Sequence, residues 1–496
     1  MNTLSLAGRP DPWILCVDAG SSSVRAWWYD GAGDALPGNP ARRPCSWTVT
    51  PDGGLTADPE ALLNAALGAI DDAMLAGRAA GVRPAAVAMA VFWHGLAGFG
   101  AEGEVLTPLY GWGDARASIA AAQIRERVDA RAVHQRTGCF VHGLYPAARL
   151  VWLGAAPGDT LPRAAVWGSL GELVALRLFG QARTSLSMAS GTGLLDLRRG
   201  VWDDEMLRVA GIGADQLPAL RDEPVRGLRS PFAARWPELA GVPWFPALGD
   251  GACASLGTRA SGARVGMTVG TSAAVRVLRA DADPVVPPGL WCYRVDARRT
   301  VCGRALSNGG NGFDWLRRTL ALPPADELEA RLAEMVPGAH RLTVVPRLVA
   351  ERPPEPPGPP TASLAGITLA TGPLEIVRAW LEAEAFAMAD ALDAVEAAFG
   401  PADEVVAGGG ALAASPAWAR IVADVFGRPL RLSADPESTM HGAALLALER
   451  LGALADASAY VPSSADGERL MPDATAHEIY RNVRSAGASG TGIPGE

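Results

Sequence analysis

The sequence has no lysine: all 44 of its basic residues are arginines. That absence excludes a P-loop lysine on nucleotide phosphates, a lysine Schiff base and a Ser-Lys pair. Any phosphate chemistry must therefore run on backbone N–H groups, hydroxyls, arginine and metal. Cysteine is scarce, with only Cys16, Cys45, Cys139, Cys253, Cys292 and Cys302 in 496 residues and no C-x-x-C spacing. This points to buried thiols rather than a metal site or a disulfide framework. No run of about 18 apolar residues occurs, so a membrane-spanning helix is not expected. Positive charge is in deficit, and the formal net charge of −9 argues against nucleic-acid or anionic-membrane partners. The N-terminal MNTLSLAGRPDPW lacks the basic, apolar, small-residue order of a signal peptide, so the cytoplasm is the expected compartment.

What is present is an ordinary globular balance, 49% hydrophobic and 20% charged, in a chain long enough for two or three domains. Its densest local signal is ILCVDAGSSSVRAWWYD, Ile14 to Asp30. Apolar and β-branched residues up to Asp18, a turn through Ala19-Gly20-Ser21-Ser22-Ser23 and a β-branched, aromatic run to Tyr29 read as strand, turn, strand. A P-loop or dinucleotide fingerprint would enter a helix after its glycine turn, and this one does not. A hairpin lip with exposed N–H groups, hydroxyls and a carboxylate suits a polyphosphate and its metal ion. A plain serine-turn hairpin is the structural alternative. The design returns at Arg264 to Leu278, RVGMTVGTSAAVRVL, with its turn at Gly270-Thr271-Ser272. Two hairpins of one design are what a duplicated domain leaves behind, and they can face each other across a cleft.

Between the hairpins, Ala57 to Ala80 has helical spacing, and Ala85 to Val91 reads as a buried strand delivering Phe92-Trp93-His94-Gly95 at its carboxyl end, where open α/β sheets place ligands. Trp112, Asp114 and Arg116 in TPLYGWGDARA combine an aromatic plane with an acceptor and a donor fork, a set suited to a polyol or sugar; a solvated salt-bridged loop is the plainer account. Thr184 to Leu197 reads as a small-residue loop framing a pocket. At VPWFPALGDGACASL, Asp250 is either a helix N-cap or a general base beside a close backbone approach. Further on, Gly303 to Leu316 reads as a loop leading into a helix, and Pro346 to Pro360 as an extended proline-rich loop. Gly366 to Phe399 reads as a long Ala-rich helix, Glu404 to Ala423 as strand, triple glycine and helix, and Ser438 to Leu448 as a further helix. The Gly- and Ser-rich end from Ser485 is expected to be disordered.

The order DAGSSSVR, Trp93-His94, WGDAR, GLYPAARLVWL, GDGACASLG, MTVGTS, NGGNGFDWL, ERPP, SLAGITLATGPLEIVRAWLE, VVAGGGA and HGAALLAL resembles the FGGY carbohydrate kinases from near residue 14 to about residue 452. Three departures are visible: Arg149 stands where lysine is common, Trp380 where a smaller residue is usual, and Ala350-Glu351-Arg352 replaces Gly-Glu-Arg. The resemblance implies an α/β, two-domain, actin-like (ribonuclease H-type) fold with ATP and sugar in the interdomain cleft. The domains would be residues 1–258 and 259–460, followed by an extension, 461–496. It implies phosphates near Ser21, Ser22, Ser23, Arg25, Gly270 and Thr271, adenine against Gly310 and Gly408 through Gly409 and Gly410 to Ala411, and Mg²⁺ held by Asp18 through water. Sugar would lie by Trp93, His94, Trp112, Asp114 and Arg116, and Asp250 would take the proton from the attacking hydroxyl.

The region HQRTGCFVHGLYPAARLVWL with SLSMASGTGLLDLRRGVWDDEML is similar to the gluconokinase branch, which makes D-gluconate the expected acceptor. A xylulokinase or another ketose or polyol kinase is the alternative, and an actin-like ATPase without a sugar site is the more distant one. The expected partners are a small sugar or sugar acid and ATP, with no nucleic acid and no membrane. A homodimer is left open.

Overall fold

The computed structural model of the chain describes residues 10–156, 160–355, 360–460 and 467–489. Two central sheets repeat one plan. In the five-stranded sheet the strands run in the order Leu248–Gly249, Pro84–Val91, Trp13–Ala19, Ser23–Tyr29, Ala41–Pro44. The hairpin Trp13–Ala19 and Ser23–Tyr29 is antiparallel, and its first strand pairs in parallel with Pro84–Val91. In the seven-stranded sheet the hairpin Arg264–Val269 and Ala273–Ala280 is likewise antiparallel, and its first strand pairs in parallel with Glu404–Gly408. Both hairpins and the parallel strand beside each stand as the sequence predicts. The α/β, two-domain actin-like fold is the one observed.

Local chemistry sets the elements. Helix Pro59–Ala80 starts at Asp58, whose carboxylate accepts from the Glu60 N–H, has Pro59 in its first turn, and stops at Gly81 in the left-handed region, φ 75°; these are start and stop signals readable in the chain. Its apolar stripe packs on the first sheet together with Ser438–Arg450, a helix contributed by the second half of the chain. That helix meets Asp250–Gly257 backbone to backbone. A Cβ on Gly442 would lie 1.8 Å from the Cys253 carbonyl oxygen, and one on Gly257 2.0 Å from that of Ser438. The glycine of HGAALLAL is therefore a contact residue. Helices Pro373–Phe399 and Pro416–Phe426 cover the second sheet.

Several expectations need correcting. Gly303 lies in the strand Arg299–Leu306, not in a loop, and the helix begins at Gly310. The stretch 184–197 holds a helical turn, Leu186–Ser190, capped by Ser185. Residues 485–489 belong to helix Ala474–Ser489; the rest of the tail expected to be disordered lies outside the described residues. Packing explains the difference: Tyr480 is buried against Arg378 and Glu382, and Arg484 pairs with Asp390 and Asp393. All six cysteines are free, five of them buried. Among the described residues no helix is long and apolar enough to cross a membrane.

Candidate active site

The strands Trp13–Ala19, Pro84–Val91 and Leu248–Gly249 are parallel, with Ala19 opposite Val91 and Val91 opposite Gly249. Parallel strands in register end together, so Asp18, Trp93-His94 and Asp250 reach one rim of the sheet. Asp250 is the first residue of helix Asp250–Gly257; the cap position belongs to Gly249. The N-cap reading is therefore wrong, and the Asp250 carboxylate turns back to the N–H of Gly251, 2.7 Å. Burial pushes its pKa up, opposed first by Arg276 and then by the Gly251 and Trp93 backbone N–H groups and Arg352. The flanking glycines are required by Trp93: a Cβ on Gly249 would lie 1.9 Å from the indole and one on Gly251 2.6 Å.

Asp18 is buried, 1% exposed. The Arg25 guanidinium donates to its Oδ2 and, at 2.5 Å, to Glu437 at the start of helix Ser438–Arg450. Oδ1 of Asp18 is buried without a partner. Burial outweighs Arg25 and raises the carboxyl to about 6. A hard cation bound through water needs one such oxygen. Among the described residues no group of three or more His, Cys, Asp or Glu stands together. The residues present fit an ion that takes most of its ligands from water and phosphate.

The two turns are built alike. Gly20 N–H closes on Ser23 O at 3.1 Å and Gly270 N–H on Ser272 O at 2.9 Å, leaving Ser21, Ser22 and Thr271 exposed. Ser23 differs from its neighbours: it is buried in the strand, paired opposite Pro44. Where the second hairpin meets the helix that begins at Gly310, Gly310 N–H donates to Gly270 O, 2.8 Å, and Asn311 N–H to Thr271 O, 3.2 Å. A Cβ on Gly310 would lie 3.2 Å from that of Ala411, and Gly409, φ +94°, sits against Val269 O. The structure thus gathers Gly270, Thr271, Gly310, Gly409, Gly410 and Ala411 into one corner.

The residues expected around the sugar divide. Trp93, His94 and Trp112 line a cleft shared with Ser21 and Asp250. The Trp93 indole donates to Ser187 O, 3.0 Å, and His94, at φ 68°, holds Gly191 O at 2.7 Å through Nδ1. That bond places the proton on Nδ1, and burial lowers the ring's pKa to about 3, so His94 is neutral. Asp114 and Arg116 are not in the lining. They form a fork with each other, 2.6 and 3.0 Å, Asp114 also accepts from Leu55 N–H, and the guanidinium lies over Trp152. Arg149, where the family commonly has lysine, is buried on the carbonyls of His94, Tyr110 and Gly111; its positive charge fixes the loop that carries the sugar-side residues.

Two charged lining residues escaped the sequence reading, Arg276 and Arg352. Arg276 carried a signal: a charged residue inside AAVRVL, an apolar strand at the centre of a sheet. Arg352 lay in the family loop, but only the folded chain brings its guanidinium over Trp112, 4.4 Å from the ring centre.

This arrangement has known counterparts. The model of the N-terminal domain of the FGGY family of carbohydrate kinases matches residues 13–257, and that of the C-terminal domain matches residues 265–449. The chain belongs to the FGGY family of carbohydrate kinases. It is therefore an ATP-dependent phosphotransferase acting on a sugar. A gluconokinase of Bacillus subtilis (strain 168) is 25% identical over 492 residues, covering 95% of this chain and 94% of the relative. Among solved structures, a ligand-bound xylulose kinase from Lactobacillus acidophilus has a TM-score of 0.87 at 24% identity, covering 96% and 97% of the two chains. A gluconate kinase from the same organism has a TM-score of 0.86 at 24% identity, with the same coverage. The FGGY fold is thus shared by kinases named for an acid and for a ketose.

Proposed function

We propose that the protein transfers the γ-phosphoryl group of ATP to the terminal hydroxyl of a sugar acid, D-gluconate first among them. The observation that carries the transfer chemistry is the placement of Asp250, desolvated and basic, on a cleft lined also by a turn hydroxyl of the first hairpin and by residues of the second. Asp250 accepts the proton of the attacking hydroxyl. Ser21, Ser22, Thr271 and the turn N–H groups cradle phosphate, and the corner at Gly310 and Gly409 to Ala411 takes adenine. Asp18 would hold Mg²⁺ through water, the ion supplying countercharge for the phosphates. With no lysine on hand, that countercharge matters more than usual.

The substrate part rests on the similarity to gluconokinases of the regions around His134 to Leu153 and Ser185 to Asp196, and on the Bacillus gluconokinase as a relative along nearly the whole chain. A ketose kinase is the second reading, favoured by the structural likeness to a xylulose kinase. The bodies that close on the substrates are residues 1–258 and 259–460, and the reaction belongs in the cytoplasm, where ATP is supplied. The test is phosphorus NMR of the product formed from D-gluconate, ATP and Mg²⁺. A phosphomonoester on the terminal carbon is expected; hydrolysis of ATP with no phosphorylated acceptor in a panel of acids, ketoses and polyols would contradict the reading.

A further inference from the structure

The arginines around the cleft differ in how their donors are used. Arg25 bridges Asp18 and Glu437. Arg116 is spent on Asp114, and Arg149 puts both terminal nitrogens on backbone carbonyls. Arg276 gives one terminal nitrogen to the Thr268 hydroxyl, 2.5 Å, and its Nε is buried without a partner. The Arg352 guanidinium stacks on Trp112, its Nε is also buried without a partner, and among the described residues its terminal nitrogens pair with no carboxylate. Both side chains line the same cleft. Each is desolvated, and Arg352 and Arg276 repel one another. Asp250 offsets part of the charge of both and Glu351 that of Arg352, but neither carboxylate is hydrogen-bonded to either guanidinium, and buried donors left without a partner are costly; an anion between the two would satisfy them.

We propose that Arg276 and Arg352 form the subsite for the acceptor's carboxylate, with Arg276 the residue that selects acids over neutral sugars. The proposal rests on the sugar-acid reading above. Placement favours the acceptor over the phosphates of ATP as the source of the anion. Arg276 pairs with Gly266, the last pair of its ladder counted from the Gly270 turn; one terminal nitrogen reaches back to Thr268, while the other lies beside Gly251 and Trp93, where a Cβ on Gly251 would be 2.6 Å from Nη1. Arg352 is set against Trp112 and near the hydrogen-bonded pair Tyr145 and Tyr293, an aromatic wall suited to the C–H faces of a polyol chain. The division between the two arginines follows from the sequence. Arg352 stands at the arginine of the Gly-Glu-Arg on which the family resemblance rests, and a residue common to a family does not select among its substrates. Arg276 lies past the MTVGTS stretch on which that resemblance rests.

The wild-type enzyme tests this first. It is assayed with D-gluconate and with D-gluconamide, which replaces the carboxylate by a neutral amide of the same shape, alongside D-xylulose. The acid is expected to exceed the amide in kcat/KM by about 100-fold, the scale of a desolvated charge-assisted pair. Arg276→Gln should cut that acid-to-amide ratio at least tenfold, and Arg276→Lys should cut it less, a point charge replacing a fork; KM for ATP should stay within about twofold. A wild-type enzyme preferring D-xylulose to D-gluconate sinks the sugar-acid reading and the subsite with it. Preference for D-gluconate over D-xylulose with amide and acid equal sinks the subsite alone. An unchanged ratio in folded Arg276→Gln, or in Arg276→Lys should the glutamine variant not fold, also overturns the assignment. Equal losses on acid and amide with a raised KM for ATP would move the anion to the phosphoryl donor.

Discussion

Asp18 and Arg25 stand opposite each other across the first hairpin, and the guanidinium engages one carboxylate oxygen while the other stays buried and unpartnered. The hairpin thus offers one unpartnered carboxylate oxygen at the foot of the Gly20–Ser23 turn. Asp18→Asn keeps an acceptor for Arg25 and removes the charge. It should retain the fold, with Tm within a few degrees of wild type, and lose Mg²⁺-dependent ATP use by about 100-fold or more in kcat/KM. Activity surviving excess chelator, or wild-type turnover by the variant, would remove Asp18 from the metal site.

Asp250→Asn keeps size and removes the proton acceptor. A fall in kcat of about 10²-fold or more is expected, the usual span for a positioned base, with little change in thermal melting because Asp250 does not cap its helix. Full turnover by the folded variant would assign the proton to another group.

The pH profile follows from the raised pKa of Asp250. Protonation silences the base, so kcat/KM should fall as pH drops, with a midpoint above the ordinary aspartate value of about 3.9. Arg276 is the leading influence pulling that pKa down, so Arg276→Gln should move the acidic limb to higher pH. A limb that stays put or moves lower contradicts this electrostatic account.

Gly442→Ala tests the joint beneath the base. Its methyl would run into the Cys253 carbonyl, and relief requires moving either helix Ser438–Arg450 or Asp250–Gly257. A loss of about 1–3 kcal/mol is expected from the overpacking, along with a lower kcat in the folded fraction if it is helix Asp250–Gly257, carrying Asp250, that moves. Thermal melting with turnover at low temperature reads both effects.

The two hairpins were legible because strand, turn and strand are local patterns, and Asp250 stood out through glycines that Trp93 requires. Asp114 and Arg116 show the opposite case. Two residues apart, they read as an acceptor and a donor fork for a sugar, yet the loop closes their fork on itself. Composition misled over residues 485–489, which continue the helix that Tyr480 and Arg484 pin. The placement of Ser438–Arg450 in the first core, and the convergence of Arg276 with Arg352, depend on chain segments meeting across long separations, and no local pattern records that.

Closure of the cleft should follow binding of both substrates, bringing Asp250 to the γ-phosphoryl group and excluding water. Small-angle scattering with D-gluconate and a non-hydrolysable ATP analogue should give a smaller radius of gyration than the free protein. No compaction with both ligands bound would count against two closing bodies.

The most direct test of the sugar-acid kinase assignment is kcat/KM for D-gluconate against D-xylulose, L-ribulose and glycerol at one saturating ATP concentration, followed by ADP release. D-gluconate is expected to lead by about tenfold or more, equivalent to about 1.4 kcal/mol of transition-state stabilisation; a ketose or polyol leading by that margin would contradict it.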